Sequence, residues 1–230
     1  MKAVLLSAGY GTRLKPLTDT VPKCLVPVQS KPLLGYWLDL LLPKPIDQVL
    51  INTHYLAQKV KDFVQSSPWE SVIKLVHEDV LLGTGGTLYR NRDFIKDGAF
   101  MVAHADNLTR FSVEDFIATH VRRKPGIEIT MMTFQTDNPQ SCGIVELDAA
   151  NTVVGFHEKV AQDYGLHANA AVYIFEPAVL DFLISLNKEI SDLSTEVIPH
   201  FLGRIQTYHN TDYHRDIGTV QSLALAEVEF

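Results

Sequence analysis

The apolar run Ala3–Leu6 leads straight into Ser7-Ala8-Gly9-Tyr10-Gly11, and no other junction restricts this chain as much. Four apolar residues bounded by a turn signal predict a short buried strand. Gly9 and Gly11 let the next backbone turn sharply and approach a ligand closely. Consecutive N–H groups in such a turn form an anion-binding nest. Arg13 follows the second glycine and Lys23 comes ten residues later, so fixed positive charge is added to the loop. These are the parts needed to hold a polyphosphate. A lone Gly-x-Gly marks many ordinary tight turns as well, so the longer string has to carry the reading. It is neither common phosphate motif: no Lys-Ser or Lys-Thr closes a P-loop, and the third glycine of the dinucleotide fingerprint is missing.

Downstream, strand and helix patterns alternate. Leu33–Leu42 reads as a helix, 48–52 as a strand, Ala57–Gln65 as an amphipathic helix and 73–76 as a strand. A second glycine cluster, Leu82-Gly83-Thr84-Gly85-Gly86-Thr87, is expected to precede a helix. A strand over 100–103 runs into His104-Ala105-Asp106-Asn107, Ser112 suits the N-cap of a helix through His120, and 127–134 reads as a strand. This βαβα order predicts a mostly parallel sheet covered by helices. In such sheets ligands sit at the carboxyl ends of strands, where both glycine clusters and Asp106 fall. Beyond residue 138 the texture changes. Segments 143–147 and 153–158 flank the turn 148–151 and predict a hairpin. A strand at 170–175, helices at 178–186 and 195–202, a strand at 205–209, a polar turn through Asp216 and a terminal helix complete the reading.

At 230 residues the chain is long enough for one full core without staples. A net charge of −7 argues against nucleic-acid binding. The excess is unevenly spread: residues 1–23 carry Lys2, Arg13, Lys15 and Lys23 against Asp19 alone, a basic spot on an acidic body that suits a small anion. No apolar run is long enough for a membrane span, and no secretory leader is expected. Two cysteines, Cys24 and Cys142, make no disulfide framework, which fits a reducing cytoplasm.

Over Leu6, Ala8, Gly9, Gly11, Thr12, Arg13, Leu14, Pro16, Leu17, Thr18, Pro22, Lys23, Leu25, Pro27 and Val28 the chain resembles the opening motif of the sugar-nucleotide pyrophosphorylases, the sugar-1-phosphate nucleotidylyltransferases. Further segments match in order. Cys142-Gly143-Ile144-Val145 resembles a strand whose glycine lies against the sugar. Glu158-Lys159 resembles a pair placed on sugar hydroxyls and sugar phosphate. Asn169-Ala170-Ala171 resembles a segment lining the sugar pocket. Asp106, and Asp216 within Asp216-Ile217-Gly218-Thr219, resemble two aspartates that hold the catalytic metal. Spacing alone would make either one a turn or capping residue.

The resemblance implies an α/β fold of three αβα layers, with a mixed, mostly parallel sheet and a small β extension for the sugar. It implies one nucleotidyltransferase domain over 1–230, with a nucleotide half to about 138 and a sugar half after it, and no C-terminal β-helix. The implied reaction joins an NTP to a sugar 1-phosphate and releases pyrophosphate. Arg13 and Lys23 are the implied catalytic cations. Leu6, Ala8, Gly9, Gly11, Thr12, Gly83, Thr84 and Gly85 are implied to bind nucleotide, and Asn107, Gly143, Glu158, Lys159 and Asn169 the sugar phosphate. Asp106 and Asp216 would hold Mg²⁺, a hard cation that favours oxygen ligands. The 82–86 segment resembles that of mannose- and heptose-1-phosphate guanylyltransferases, which favours GTP. UTP or dTTP with another sugar, such as N-acetylmuramate 1-phosphate, is the alternative, and a silent nucleotide-sugar sensor a further one. A glycosyltransferase would carry Asp-x-Asp, and here Asn107 and Leu108 follow Asp106. Exposed helices leave room for a homodimer. The chain departs from the pattern at Tyr10, Ala105, Ala171 and His214, none of which removes a charged group.

Overall fold

The computed structural model describes residues 1–159 and 162–230. The chain forms two compact units. The first is drawn from 1–81, 103–113 and 212–230, the second from 82–102 and 114–211.

In the first unit, strands Lys2–Leu6, Gln48–Thr53 and Ile73–His77 run parallel, Leu6 beside Asn52 and Thr53 beside His77. The apolar residues of the first two strands are buried, as expected of strands covered on both faces, while Ile73, Leu75 and Val76 of the outer strand are half-buried. Helix Leu33–Leu41 buries Leu33, Leu34, Trp37, Leu38 and Leu41, and helix Ala57–Gln65 buries Val60 and Val64, each a stripe of helical period. Two short strands, Pro27–Val28 and Lys31–Pro32, pair through Gln29 and Ser30, both at positive φ, as a two-residue hairpin turn demands. The terminal helix Val220–Glu229 starts at a capping box between Thr219 and Ser222.

One pairing in this unit differs from the sequence reading. Asp216 lies at the end of a strand, Tyr213–Asp216, antiparallel to Asn107–Arg110, and Asp216 faces Asn107 across the ladder. Each strand has four residues, too few to show a period, and the partners are about a hundred residues apart.

The second unit holds the predicted hairpin, Gly143–Leu147 against Val153–Glu158. Strand His167–Phe175 pairs antiparallel with Ile129–Gln135, and Ile205–His209 pairs parallel with Ile129–Gln135. Strand Phe100–His104 gives its first three residues to this unit and its last two to the first. The expected helix over 195–202 is instead a π turn, Leu193–Val197, then a 3₁₀ turn, Ile198–Phe201. Pro199 removes the amide that a continuous helix would need. The glycines of 82–87 do not precede a helix but lie inside its first turn, Gly83–Arg90. Both units are α/β: the first combines three parallel strands with two short antiparallel pairs, and the second holds mixed strands. Among the described residues no helix is long and apolar enough to cross a membrane.

Candidate active site

Each charged residue of interest in the first unit is tied to a buried aliphatic neighbour. Leu14, Val26, Leu108 and Ile217 share one fully buried cluster with Val28, Leu33 and Ala226. Leu14 adjoins Arg13, Val26 lies three past Lys23, Leu108 lies two past Asp106, and Ile217 follows Asp216. Burial of that cluster therefore fixes four short segments together, at about 1.5–3 kcal/mol per large aliphatic side chain. Three successive 3₁₀ turns, Thr12–Leu14, Leu17–Asp19 and Lys23–Leu25, carry the chain from the glycine loop to Lys23.

The result is a compact ionic centre. Lys23 Nζ donates to Asp106 Oδ2 at 2.6 Å and to Asp216 Oδ1 at 3.0 Å. Arg13 Nη2 lies 3.5 Å from Asp216 Oδ2. The Lys23 side chain is only 10% exposed, while Arg13 is 60% exposed and so available to a ligand. Burial works to lower the Lys23 pKa, but Asp106 and then Asp216 more than offset it and hold the ammonium above its ordinary value. Asp106 is likewise pulled down: burial opposes ionisation, and Lys23 followed by His104 outweighs it. Burial pushes His214 down to about 3, so it is neutral. It also pushes Cys24 up to about 12, so the thiol beside Lys23 is a packing residue.

The loop glycines divide by role. Gly11 sits at φ +65°, with Lys23 Cβ and Thr18 Cγ2 both 3.0 Å from where a Cβ would stand. Nothing lies within 4 Å of a Cβ on Gly9, which leaves its backbone open to a ligand. Gly218, within the turn motif, has a definite task. A Cβ there would meet Asp216 Oδ2 at 2.5 Å and Arg13 Nη2 at 2.7 Å.

A polar relay crosses the carboxyl ends of the parallel strands. Ser7 N donates to Asn52 Oδ1 at 2.8 Å, and Asn52 Nδ2 donates to Glu78 Oε1 at 2.9 Å. Ser7 Oγ also bonds Asn52 O. His54 Nδ1 meets the Glu78 carbonyl at 2.7 Å, and a carbonyl only accepts, so Nδ1 carries the proton. His54 Nε2 then accepts from Tyr10 OH at 2.9 Å. Sequence reasoning missed Glu78. The signal was present: a carboxylate directly after a strand, at the same end as the glycine loop.

In the second unit, Gly143 and Glu158 face each other in the hairpin register. A Cβ on Gly143 would meet Phe156 Cζ at 2.6 Å and Glu158 Oε2 at 2.8 Å, so the glycine makes room for the glutamate. Lys159 Nζ lies 3.0 Å from Glu158 Oε1. Asn169 is on the neighbouring strand; its Oδ1 accepts from Ala171 N at 3.0 Å and its Nδ2 donates to Tyr173 OH at 2.6 Å. Because Ala171 N can only donate, the orientation of the Asn169 amide is settled. Ala171 itself stands at φ +54°, a conformation costing roughly 1–2 kcal/mol in a residue with a Cβ. Ala171→Gly is expected to raise stability by about 0.5–1 kcal/mol after the added chain entropy of glycine. Denaturant unfolding checks it, and a lower midpoint would contradict it.

The second glycine cluster has a partner within its own unit. Gly85 N and Gly86 N both donate to Ser191 O, at 3.0 and 3.2 Å, and Ser191 N donates to Leu82 O at 3.1 Å. Thr84 Oγ1 bonds Asp192 Oδ2 at 3.0 Å and accepts from Leu193 N at 2.7 Å. A Cβ on Gly83 or Gly86 would overlap the carbonyl oxygens of Ser191 and Glu189. The amides of Gly85 and Gly86 are thus committed to the 187–192 loop, which accounts for these glycines without a ligand.

The family model of the nucleotidyl transferases matches residues 2–229. The chain belongs to the nucleotidyl transferase family. Two similar relatives are the mannose-1-phosphate guanylyltransferase catalytic subunit beta of Dictyostelium discoideum and the UTP–glucose-1-phosphate uridylyltransferase of Synechocystis. The first is 31% identical and covers 90% of this chain and 58% of its own. The second is 29% identical and covers 96% and 61%. The chain thus spans about 60% of the length of these relatives. Among solved structures, a Bacillus anthracis protein assigned as a glucose-1-phosphate thymidylyltransferase, in complex with sucrose, superimposes with a TM-score of 0.87 at 20% identity, covering 99% of this chain and 94% of its own. HddC of Yersinia pseudotuberculosis, complexed with GMP-PN, gives 0.81 at 24% identity, covering 98% and 97%. These likenesses establish the α/β nucleotidyltransferase fold expected from the opening motif.

Proposed function

We propose that this nucleotidyl transferase joins an NTP to a sugar 1-phosphate and releases pyrophosphate. The observation that carries the reading is the centre of Lys23, Arg13, Asp106 and Asp216 beside an open glycine loop, in a chain whose family match runs over 2–229. A phosphate oxygen of the sugar phosphate attacks the α-phosphorus. The bond from that phosphorus to the β-phosphate oxygen breaks, and pyrophosphate leaves. Both reactants are anions, so neutralising and aligning them is the main task. No general base is needed, because the nucleophile is already ionised.

The backbone from Leu6 through Ala8, Gly9, Gly11 and Thr12 receives the triphosphate. Arg13 holds the leaving β- and γ-phosphates, and Lys23 stabilises charge at the α-phosphorus. Two carboxylates with no third ligand side chain among the described residues suit Mg²⁺, which keeps waters and substrate oxygens in its shell. That one atom, the Lys23 ammonium, bonds Asp106 and Asp216 together supports a shared cation there. Bound there, Mg²⁺ supplies Lewis-acid neutralisation of phosphate charge. Asn107, Gly143, Glu158, Lys159 and Asn169 take the sugar phosphate, with Lys159 on its phosphate and Glu158 on hydroxyls. Of the second glycine segment, Gly83 and Thr84 remain assigned to the nucleotide, and Gly85 by its position alone.

GTP is the proposed nucleotide, with a mannose- or heptose-type 1-phosphate. The resemblance of the 82–86 segment to that of guanylyltransferases supports this choice, and a guanylyltransferase is among the similar relatives. Relatives that use UTP keep the uridylyl or thymidylyl reading as the alternative. The decisive assay is pyrophosphate release over a panel of NTPs and sugar 1-phosphates. Release that requires both substrates is expected, whereas binding without release would make the protein a sensor.

A further inference from the structure

Lys23 is assigned above to the α-phosphate, yet the structure shows it elsewhere. Its ammonium sits between the two carboxylates proposed to hold the metal, 2.6 Å from Asp106 Oδ2 and 3.0 Å from Asp216 Oδ1. A point within hydrogen-bonding reach of carboxylates from two distant segments is the point a small cation would take. An ammonium and a divalent ion a few ångströms apart repel strongly in a partly buried site. Both cannot stay there.

We propose that Lys23 is the resident counter-cation of the Asp106–Asp216 pair, and that a divalent metal enters only by exchange with it, as an arriving triphosphate draws the ammonium away. The inference rests on the metal assignment made for the proposed function.

Three features of the chain support an exchange over a permanent salt bridge. The base of the Lys23 side chain packs against Gly11 in the phosphate loop, where its Cβ sits 3.0 Å from the place of a Gly11 Cβ. The stem is therefore anchored at the loop, while the ammonium stands at the end of a flexible four-carbon chain. The two carboxylates come within reach of one atom from distant segments, so removing the lysine without a replacement leaves them facing each other with no cation between them. Arg13 is no substitute, since it touches Asp216 alone, at 3.5 Å, and is largely exposed. A nucleotide changes the balance by offering the ammonium a new anion at the loop and by bringing metal with it. Lysine and metal then trade places with little change of net charge. Coupling of this kind is reciprocal, so triphosphate tightens metal binding as much as metal tightens triphosphate binding.

The test measures Mn²⁺ binding by the loss of its free electron-spin resonance signal, with no turnover involved. Lys23→Met removes the charge and keeps most of the stem. Without nucleotide, Lys23→Met is expected to bind Mn²⁺ at least about tenfold more tightly than the wild type. A non-hydrolysable triphosphate analogue, corrected for its own Mn²⁺ binding, should tighten the wild type by a similar factor and the variant much less. The wild-type comparison with and without analogue stands even if Lys23→Met misfolds: no tightening overturns the exchange. Equal affinity in wild type and variant without nucleotide overturns it too, while Asp106→Asn abolishing binding in both keeps the metal site. Mn²⁺ binding indifferent to Asp106→Asn in every protein overturns the metal assignment itself.

Discussion

Lys23→Ala should lower kcat by about 10²–10³, with far-UV circular dichroism and the thermal midpoint showing a folded protein. That range is what loss of one positioned, preorganised charge costs in other sites. Lys23 is buried, its stem packs against the glycine loop, and its ammonium bonds both Asp106 and Asp216. Arg13 is too exposed and too loosely held to take over. The fall should appear in kcat more than in KM, because the charge that develops at the α-phosphorus is largest in the transition state. The fold should survive because the core beside Lys23, Val26 with Leu14, Leu108 and Ile217, is apolar and untouched. Added Mg²⁺ should help the folded variant, since it can neutralise the bereft carboxylates. Turnover within tenfold of the wild type would refute the assignment of Lys23 to the reacting phosphate.

Gly86→Ala should be strongly destabilising. The new Cβ would overlap the Glu189 carbonyl and press on Leu82 Cβ at 3.1 Å, and the amide of Gly86 also donates to Ser191 O. The obstacle is backbone, which cannot rotate aside as a side chain does. Overpacking of this kind costs about 1–3 kcal/mol, and the upper end applies here. For a chain of this size that corresponds to a fall in Tm of roughly 6–12 °C. Gly9→Ala is the contrast. Nothing lies within 4 Å of its added Cβ, so Tm should hold while nucleotide affinity falls, because the methyl occupies the ligand's approach. Calorimetry with and without NTP separates the two. A Gly86→Ala protein as stable as the wild type would show that the 187–192 loop yields freely.

The pair of glycine results shows how far the residues alone can be read. Gly-x-Gly after a strand and Gly-Thr-Gly-Gly before a helix look alike as strings, and the resemblance implies nucleotide binding for both. Only the folded chain separates Gly9, open to solvent and ligand, from Gly85 and Gly86, filled by their own unit. The same limit applies to Glu78 and Gly218. Neither has a distinctive neighbour in sequence, and their tasks depend on Asn52 and Arg13, which lie 26 and about 200 residues away.

The hairpin at 143–158, the parallel strands and the helix over Ala57–Gln65 were legible because each is written by a local period or a turn signal. The strand Tyr213–Asp216 was not, since four residues carry no period and its partner is remote. Ala171 was legible as a departure from a glycine, but its positive φ required the backbone.

The amino-acid sequence by itself determined the chemistry on offer: a glycine loop, two cations and two carboxylates in a family-specific order. Those groups are properties of residues and short strings, so they need no fold to be recognised. Tertiary structure decided what each group does before any ligand arrives. It placed Lys23 between aspartates 83 and 193 residues away. The reason is the shared aliphatic cluster: Leu14, Val26, Leu108 and Ile217 leave water together, and the charges beside them are carried to one point. A sum of hydrophobic burials over distant segments is not visible in any one of them.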